Sequence, residues 1–488
     1  MAVLVRERSP SLWRHWRWLL LGLAGLAIVG AAGWGVWRWA LAPAADALLE
    51  PLPQDPHIQV FFNQSQAARY TEAYRPQERL GDDLEAIVIG AIASAQRSVD
   101  IAVQELRLPG IAWALVERHR AGVQVRVILE DSYRRPLSQI SAPELAAMED
   151  RDRARYVDGM QIIDQDQDGQ LSQAEINQND ALMILQNAGI PILDDRADGS
   201  RGSDLMHHKF VVVDQRWVVM GSANFTPSDM HGDFLKPDSR GNPNHLIRID
   251  SIEVARLFAQ EFALLWGDGV GQLPNSYFGL QKPYRPPSRV MVRPDAAVTV
   301  QFSPISPTQN WWNSGNGLIG NTLNRAQQRV DFALFVFSDQ NLSNILGVRQ
   351  QQGVTVRGVI DESFIFRSYS EGLDLLGVAL PDERCRLEAE NRPWGGAIAT
   401  LGTPTLPDGD LLHHKFAVVD GRWVITGSQN WSDAANHSND ENVVVIENAT
   451  VAAHFEREFE RLYGTAALGV PLALQERIQQ QSARCGRP

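Results

Sequence analysis

The chain is poor in cysteine and has no excess of basic residues. Its 488 residues include only Cys385 and Cys485, which lack the spacing of a metal-binding cluster. Two readings stay open: one disulfide outside the cytoplasm, or two free thiols inside it. Lys plus Arg number 45 against 58 Asp plus Glu, a net charge of −13. The whole chain therefore lacks the basic footprint that nucleic-acid binding usually leaves, although a local basic cleft is compatible with this composition.

Charged residues are also absent from positions 18–37, which are twenty mostly apolar residues. As a helix they would cross a bilayer core of about 30 Å. Arginines are more numerous before this segment than after it, which predicts a cytoplasmic N-terminus with the remainder on the periplasmic or extracellular side. The competing interpretation is a cleaved signal peptide and a secreted protein, but signal peptides normally have an apolar core of about 7 to 15 residues. We predict a single-pass membrane anchor.

One motif, HxKxxxxDxxxxxxGSxN, occurs twice, within residues 206–226 and 412–432, and 13 of 21 aligned positions are identical. If its apolar run is a strand, His207 and Lys209 share one face and His208 points away. The Asp-Gly pair at 420–421 suits a hairpin turn. Such a hairpin would return the Gly-Ser-x-Asn end of the motif toward the histidine. The candidate residues are His207, Lys209, Asp214, Ser222 and Asn224 in the first copy, and His413, Lys415, Asp420, Ser428 and Asn430 in the second.

The repeated motif resembles that of the phospholipase D superfamily, whose members cleave or exchange phosphodiesters through a phosphohistidine. The resemblance implies that one histidine attacks phosphorus and the other is the acid for the leaving oxygen and then the base. Lysines and asparagines would hold the phosphoryl oxygens. The motif aspartates would brace the fold. This chemistry requires no metal.

An acid downstream of each motif is expected to orient its histidine. The second copy continues as NHSNDENVVVIEN, which resembles the NxEN pattern of the small endonucleases and predicts Glu441 as the partner of His413. In the first copy Asn244 stands at that position, so Asp229, Asp233 or Asp238 are the candidate substitutes. Which histidine is the nucleophile stays open.

Further blocks repeat in the same order on both sides of the motif, each typical of strands alternating with helices. We predict an α/β fold with two fused domains, each a mostly parallel sheet flanked by helices, related by a pseudo-two-fold axis with the site at their interface. One chain then completes the site without an obligate homodimer. The expected order is a cytoplasmic N-terminus (1–17), anchor (18–37), linker (38–57), domain 1 (58–267), Pro-rich linker (268–297), domain 2 (298–464) and tail (465–488).

An acidic insert, residues 164–175, is unique to the first copy and fits the calcium loop of an EF-hand. Its glycine allows a sharp turn and its last glutamate offers two oxygens. The alternative is a solvated acidic loop. We predict bound Ca²⁺ with a structural or regulatory role, held by Asp164, Asp166, Asp168, Gln170, Ser172 and Glu175.

These features favour a membrane-anchored phosphodiesterase of the phospholipase D type that acts on phospholipids, as hydrolase or transferase, because the anchor holds the site beside its substrate. A nuclease of the same superfamily is the first alternative. A non-catalytic calcium-binding scaffold is the second.

Overall fold

The computed structural model describes residues 48–196 and 203–486. The predicted cytoplasmic N-terminus and anchor, and positions 38–47 of the first linker, lie outside this range. Within it, no helix has both the length and the apolar character needed to cross a membrane. Residues Pro51–Pro488 form one compact unit.

Strands of the described chain are numbered here in chain order. They are β1 (Ile58–Phe62), β2 (Arg69–Thr71), β3 (Glu78–Leu80), β4 (Ser98–Val103), β5 (Gln124–Leu129), β6 (Ile192–Asp194), β7 (Leu205–Met206), β8 (Lys209–Val213), β9 (Trp217–Gly221), β10 (His245–Asp250), β11 (Ser288–Arg293), β12 (Ala296–Ser303), β13 (Arg329–Leu334), β14 (Thr355–Ile360), β15 (Leu401–Thr403), β16 (Lys415–Val419), β17 (Trp423–Gly427), β18 (Asn439–Glu447) and β19 (Ala467–Leu468).

Helices cover the sheets and connect the parallel strands. Their bounds are Leu84–Ala93, Pro109–Arg120, Ala142–Ala147, Asp150–Ile163, Gln173–Asn179, Ala181–Asn187, Pro227–Met230, Ile252–Trp266, Gly315–Leu323, Gln340–Gln351, Glu362–Ile365, Glu371–Leu375, Asp433–His437, Ala449–Tyr463 and Leu472–Cys485.

Two large sheets have matching strand orders. The first is β1-β10-β9-β8-β4-β5-β6, and the second contains β18-β17-β16-β13-β14-β15 in the equivalent places. Only β4-β5-β6 and β13-β14-β15 pair in parallel within these runs. The motif strands and their neighbours are antiparallel. The prediction of mostly parallel sheets is therefore wrong: both sheets are mixed, because tight turns join β8 to β9 and β16 to β17.

The motif aspartates fix the ends of the motif strands. Asp214 has a positive φ of 53° at the β8–β9 turn, and its carboxylate accepts the backbone N–H groups of Gln96, Arg97 and Ser98 just before β4. Asp420 accepts the N–H groups of residues 327–329 before β13 in the same way. Both carboxylates thus hold the motif strand to its neighbour and face away from the motif histidine at the other end of that strand.

The two halves share one hydrophobic core. Phe210 and Phe258 of the first half belong to the same buried cluster as Phe416 and Phe455 of the second. Strand β7 also crosses over, since Leu205 and Met206 pair in parallel with residues 439–440 of β18. This crossing strand immediately precedes His207 and brings it to the second sheet.

A disulfide joins Cys385 to Cys485, with 5.4 Å between their Cα atoms. It fastens the C-terminal helix Leu472–Cys485 to the loop that follows helix Glu371–Leu375. Of the two readings that the sequence left open, the structure has the bonded pair.

Candidate active site

The two motif histidines lie two residues before the first residues of β8 and β16 and are almost fully buried. His207 is 6% exposed and His413 is 9% exposed. Two residues on, Lys209 and Lys415 are buried completely or nearly so, and each donates from Nζ to the backbone oxygen of its own motif histidine, at 2.9 and 2.8 Å. The strand geometry therefore places imidazole and ammonium together in each copy.

Both motifs contribute to a single electrostatic environment. Burial comes first and the charges of Lys209 and Lys415 second in holding the pKa of His207 well below its usual range. The same causes lower the pKa of His413, and the neighbouring His207 contributes less. Burial lowers the pKa of Lys209 to about 8, and burial and Lys209 together lower that of Lys415 to about 7. Burial and the two lysines thus favour the neutral form of both imidazoles in the ligand-free protein.

Glu441 contacts His207 rather than His413. Its Oε2 lies 2.7 Å from His207 Nδ1, and the glutamate is fully buried. Burial raises the pKa of this carboxyl to about 7. The pairing of Glu441 with His413 expected from the sequence is wrong, because parallel pairing of β7 with β18 places the His207 N–H 2.9 Å from the Asp440 oxygen.

An amide orients the other histidine. Asn244 Oδ1 lies 3.0 Å from His413 Nδ1, while its Nδ2 donates to the backbone oxygens of Asp229 and Asn242. Those two acceptors fix which end of the amide faces the imidazole. Of the three candidate aspartates, Asp229 approaches closest, with Oδ2 3.7 Å from His413 Nδ1. Neither of the others forms an ion pair with this histidine in the described chain.

Each imidazole therefore presents the same nitrogen to a ligand. The neutral ring of His207 donates its Nδ1 hydrogen to the Glu441 carboxylate, and that of His413 donates to the Asn244 oxygen. Nε2 of both rings keeps its lone pair. The rings differ in one respect, since a carboxylate stabilises a positive imidazole far better than an amide does.

The serines of the motif hold the two orienting groups. Ser222 donates its hydroxyl to Asn244 Oδ1 at 2.7 Å, and Ser428 donates to Glu441. Ser428 in turn accepts the Asn442 N–H at 3.0 Å. Both serines are fully buried, and their hydroxyls are engaged with the orienting groups.

Asn224 and Asn430 supply unsatisfied amides. The side-chain oxygen of each is buried with no hydrogen-bond partner among the described residues. A buried polar atom without a partner destabilises the fold by about 1–3 kcal/mol. Rotation of either amide would offer its N–H groups to a bound anion, which fits the role that the resemblance implies.

The second histidines of the motifs form buried contacts with glutamates at hydrogen-bond distance, which sequence reasoning missed. His208 Nε2 lies 2.9 Å from Glu261 Oε1, and His414 Nε2 lies 2.8 Å from Glu458 Oε1. His245 bridges the halves, with Nδ1 3.1 Å from His414 Nδ1. The sequence carries a signal for these contacts. The helix that ends each half, Ile252–Trp266 or Ala449–Tyr463 and called here its closing helix, has a glutamate at the matching position, Glu261 or Glu458, next to an apolar stripe.

The three aspartates of the insert come together at the end of helix Asp150–Ile163. One oxygen from each of Asp164, Asp166 and Asp168 lies within 4.8 Å of the other two. Asp164 Oδ2 accepts the Gly169 N–H at 3.0 Å, while its Oδ1 is buried without a partner. Gly169 has a φ of +78°. These features fit a hard cation that oxygen ligands coordinate.

The remaining predicted ligands are engaged locally. Glu175 accepts the N–H of Gln165 at 2.9 Å and both the N–H and hydroxyl of Ser172, which caps helix Gln173–Asn179. The Gln170 N–H donates to Asp168 Oδ1 at 2.7 Å. A cation that used Glu175 as a ligand would therefore compete with this cap.

Comparison with known proteins places the chain in a family. The family model "Cardiolipin synthase, PLD-like domain" matches residues 88–266 and 319–463, more than half of the chain. The chain belongs to this family of phospholipase D-like proteins. Human mitochondrial cardiolipin hydrolase is 33% identical over 140 residues, 28% of this chain and 46% of that protein. A phospholipase D from Rickettsia felis is 27% identical over 137 residues, 28% of this chain and 58% of that protein.

This chain thus spans about half the length of the curated relatives that it matches. The crystal structure of phosphatidylserine synthase from Haemophilus influenzae has a TM-score of 0.51 with 13% identity, covering 90% of this chain and 95% of that one. At this identity the likeness concerns the fold alone. It extends over both repeats.

Proposed function

We propose that this protein is a phospholipase D-type phosphodiesterase that cleaves or exchanges the headgroup ester of phospholipids through a phosphohistidine on His207. The observation that carries the proposal is the unequal support of the two imidazoles. Glu441 contacts His207 at 2.7 Å, whereas the group at hydrogen-bond distance from His413 Nδ1 is the Asn244 amide and the Asp229 carboxylate is farther, at 3.7 Å. The names of the relatives, a cardiolipin hydrolase and a phospholipase D, favour a lipid substrate.

His207 is the nucleophile in this proposal because its partner is a carboxylate. Nε2 attacks phosphorus, the ring becomes cationic, and Glu441 stabilises that charge through the 2.7 Å contact. Lys209, Lys415 and the amides of both motif asparagines hold the non-bridging oxygens, where negative charge concentrates.

His413 is the acid and then the base. Burial and the neighbouring lysines hold its pKa low in the free protein, and a bound phosphodiester anion raises it, so that the ring takes up a proton at Nε2. That proton goes to the leaving oxygen as the phosphorus–oxygen bond breaks. The neutral ring then removes a proton from water or an alcohol, which attacks phosphorus and releases His207.

The location is proposed outside the cytoplasm, with the anchor at 18–37 in the membrane. The disulfide supports this, because disulfides persist in oxidising compartments and are rare in the cytosol. The disulfide equally supports the alternative, a protein secreted after cleavage of a signal peptide. Mass measurement of the N-terminus on the purified membrane fraction separates the two.

The site is proposed to be complete within one chain of two fused domains, 58–267 and 298–464, arranged about a pseudo-two-fold axis. The contacts of Glu441 with His207 and of Asn244 with His413 support this, since each orienting group comes from the opposite half. Light scattering should give an active species with the mass of one chain.

One substrate panel tests the reaction. The purified full chain is offered phosphatidylcholine, phosphatidylglycerol, cardiolipin and single-stranded DNA. We expect headgroup release from at least one lipid and its loss in both His207→Ala and His413→Ala, with His119→Ala on helix Pro109–Arg120 as the control. Cleavage of DNA alone would establish the nuclease instead, and no turnover of any phosphodiester would establish the scaffold.

Trapping assigns the roles. His413→Asn removes both the acid and the base, so the assay uses a phosphorus-labelled phosphodiester with a phenolate-type leaving group, which departs without a proton; the label should then remain on His207. Label on position 413 in His207→Asn, with none on His207 in His413→Asn, would reverse the assignment.

A calcium site in the insert is a second, separate proposal, with a structural or regulatory role. The clustered oxygens of Asp164, Asp166 and Asp168 and the unpartnered Asp164 oxygen support it. Titration calorimetry should show Ca²⁺ binding to the wild type that Asp164→Ala removes. Equal heats from both proteins would leave the insert as a solvated acidic loop.

A further inference from the structure

The segment between the two repeats places one lysine in the buried centre of the protein. Lys282 is 3% exposed, and its Nζ lies 2.5 Å from Glu261 Oε1 and 2.6 Å from Asp440 Oδ1. It also donates to the Ser303 backbone oxygen at 2.7 Å. One ammonium thus joins the first closing helix to the start of β18.

In the second half, the equivalent buried glutamate is neutralised without a residue from the linker. Its closing helix carries Glu458 opposite the second motif, and Arg461 of that helix pairs with this carboxylate at 2.6 Å. Glu261 stands at the matching position of the first closing helix, but Leu264 replaces the arginine. Lys282 from the linker supplies the missing cation, and Arg285 from the same segment adds a second contact with Glu261.

The lysine does more than replace that arginine, because Asp440 is part of the histidine's support. The Asp440 backbone oxygen accepts the His207 N–H at 2.9 Å, and Glu441 is the next residue. The Asp440 carboxylate also accepts the Gly279 N–H at 2.9 Å. The linker therefore holds the short stretch of β18 from which both the backbone and the side chain of His207 are fixed.

We propose that Lys282 is a positioning residue for the reaction, fixing Asp440 and through it the alignment of Glu441 with His207. This inference rests on the proposed function of the site. Segment 279–285 then helps to align the active site, although it contains no motif residue and lies between the repeats. Misplacement of a reacting group by about 1 Å lowers turnover about a hundredfold, and we expect a loss of that order without Lys282.

Three variants separate positioning from simple charge neutralisation. Lys282→Met should lower kcat by about tenfold to a hundredfold and change KM by less than about twofold. Lys282→Arg should restore much of kcat. Lys282→Met with Leu264→Arg copies the arrangement of the second half, so it should regain melting temperature by pairing with Glu261 while kcat stays low.

The matched control is Lys236→Met. Lys236 also pairs across the halves, with Asp408 at 2.7 Å, but this pair is exposed, and its loss should change neither kcat nor KM. A second readout needs no substrate: with ¹⁵N-labelled histidine, the hydrogen-bonded Nδ1 proton of His207 is followed by NMR, after assignment with His207→Ala.

The outcomes are distinct. Loss or shift of the His207 resonance in Lys282→Met, with the resonance kept in Lys236→Met, supports the inference even if no phosphodiester is cleaved and the proposed function fails. An unchanged resonance together with wild-type kcat in folded Lys282→Met would overturn it. If the single variant does not fold, the double variant decides: wild-type kcat there would show that Lys282 only neutralises Glu261.

Discussion

Replacing Glu441 by glutamine tests the asymmetry of the site most directly. Glutamine keeps the shape and accepts the His207 hydrogen bond, but it removes the negative charge 2.7 Å from Nδ1. When Nε2 attacks phosphorus, a unit positive charge spreads over the ring about 4 Å from the carboxylate. At an effective dielectric constant of about 20 that interaction is worth about 4 kcal/mol. Each 1.36 kcal/mol is a factor of about ten in rate, so kcat should fall about a thousandfold.

The assay is single-turnover headgroup release from phospholipid in mixed micelles, with melting temperature as the measure of folding. Glu458→Gln is the matched control, since this glutamate is also buried and contacts His414, to which the proposed mechanism gives no role. That control should lower the melting temperature and reduce kcat less than tenfold. A kcat for Glu441→Gln within tenfold of the wild type would refute the assignment of Glu441 to the nucleophile.

Adding Asn244→Asp to Glu441→Gln moves the carboxylate from one imidazole to the other. Asn244 Oδ1 already lies 3.0 Å from His413 Nδ1. The second carboxylate oxygen replaces an amide that donates to the Asp229 and Asn242 backbone oxygens, so the melting temperature of Asn244→Asp alone is measured as the control for folding. Phosphoryl label trapped from a slow substrate should then appear on His413. Label that stays on His207 in this double variant would show that something other than the orienting group selects the nucleophile.

Three further outcomes are expected. The proposed reaction needs Glu441 ionised, with a pKa of about 7, and Lys209 and Lys415 protonated, with pKa values of about 8 and about 7. The plot of kcat/KM against pH should therefore pass through a narrow maximum near neutral pH. A flat profile from pH 6 to 9 would contradict this. Cys385→Ser opens a disulfide whose partners are 100 residues apart and should lower the free energy of unfolding by about 2–4 kcal/mol in urea titrations. Burial raises the pKa of Glu371 to about 9. The contribution of this carboxyl to stability is therefore full below its ordinary pKa and is lost as pH rises toward 9. Glu371→Gln should have a melting temperature at least about 2 °C above that of the wild type at pH 8.5, and the same melting temperature as the wild type at pH 4.

The local features of the site were open to prediction from the sequence. The face shared by His207 and Lys209 follows from the period of a strand, and the turn at Asp420 from its Asp-Gly pair. These inferences needed only residues close together in the chain. The direction of strand pairing did not follow in the same way, because helical crossovers predict parallel neighbours while the hairpins β8–β9 and β16–β17 impose antiparallel ones.

The partner of each histidine was out of reach for a different reason. Glu441 stands 28 positions after His413 and 234 after His207, and the nearer histidine was the natural choice. The pairing of β7 with β18, which is two residues long and joins the two halves, determines which histidine contacts Glu441. Nothing in the composition of Leu205 and Met206 marks such a pairing, so the identity of the supported histidine required the structure.

Each motif histidine takes its orienting group from the opposite half of the chain. Each histidine depends on the opposite half for its partner, so an acid lost from one half weakens the histidine of the other. With Asn244 in the first half and Glu441 in the second, the group at hydrogen-bond distance from Nδ1 is a carboxylate for His207 and an amide for His413, while the Asp229 carboxylate lies 3.7 Å from His413. A symmetric pair with two carboxylates would favour neither ring as nucleophile. Under the proposed mechanism, Asn244 in the first half and Glu441 in the second assign attack to His207 and proton transfer to His413.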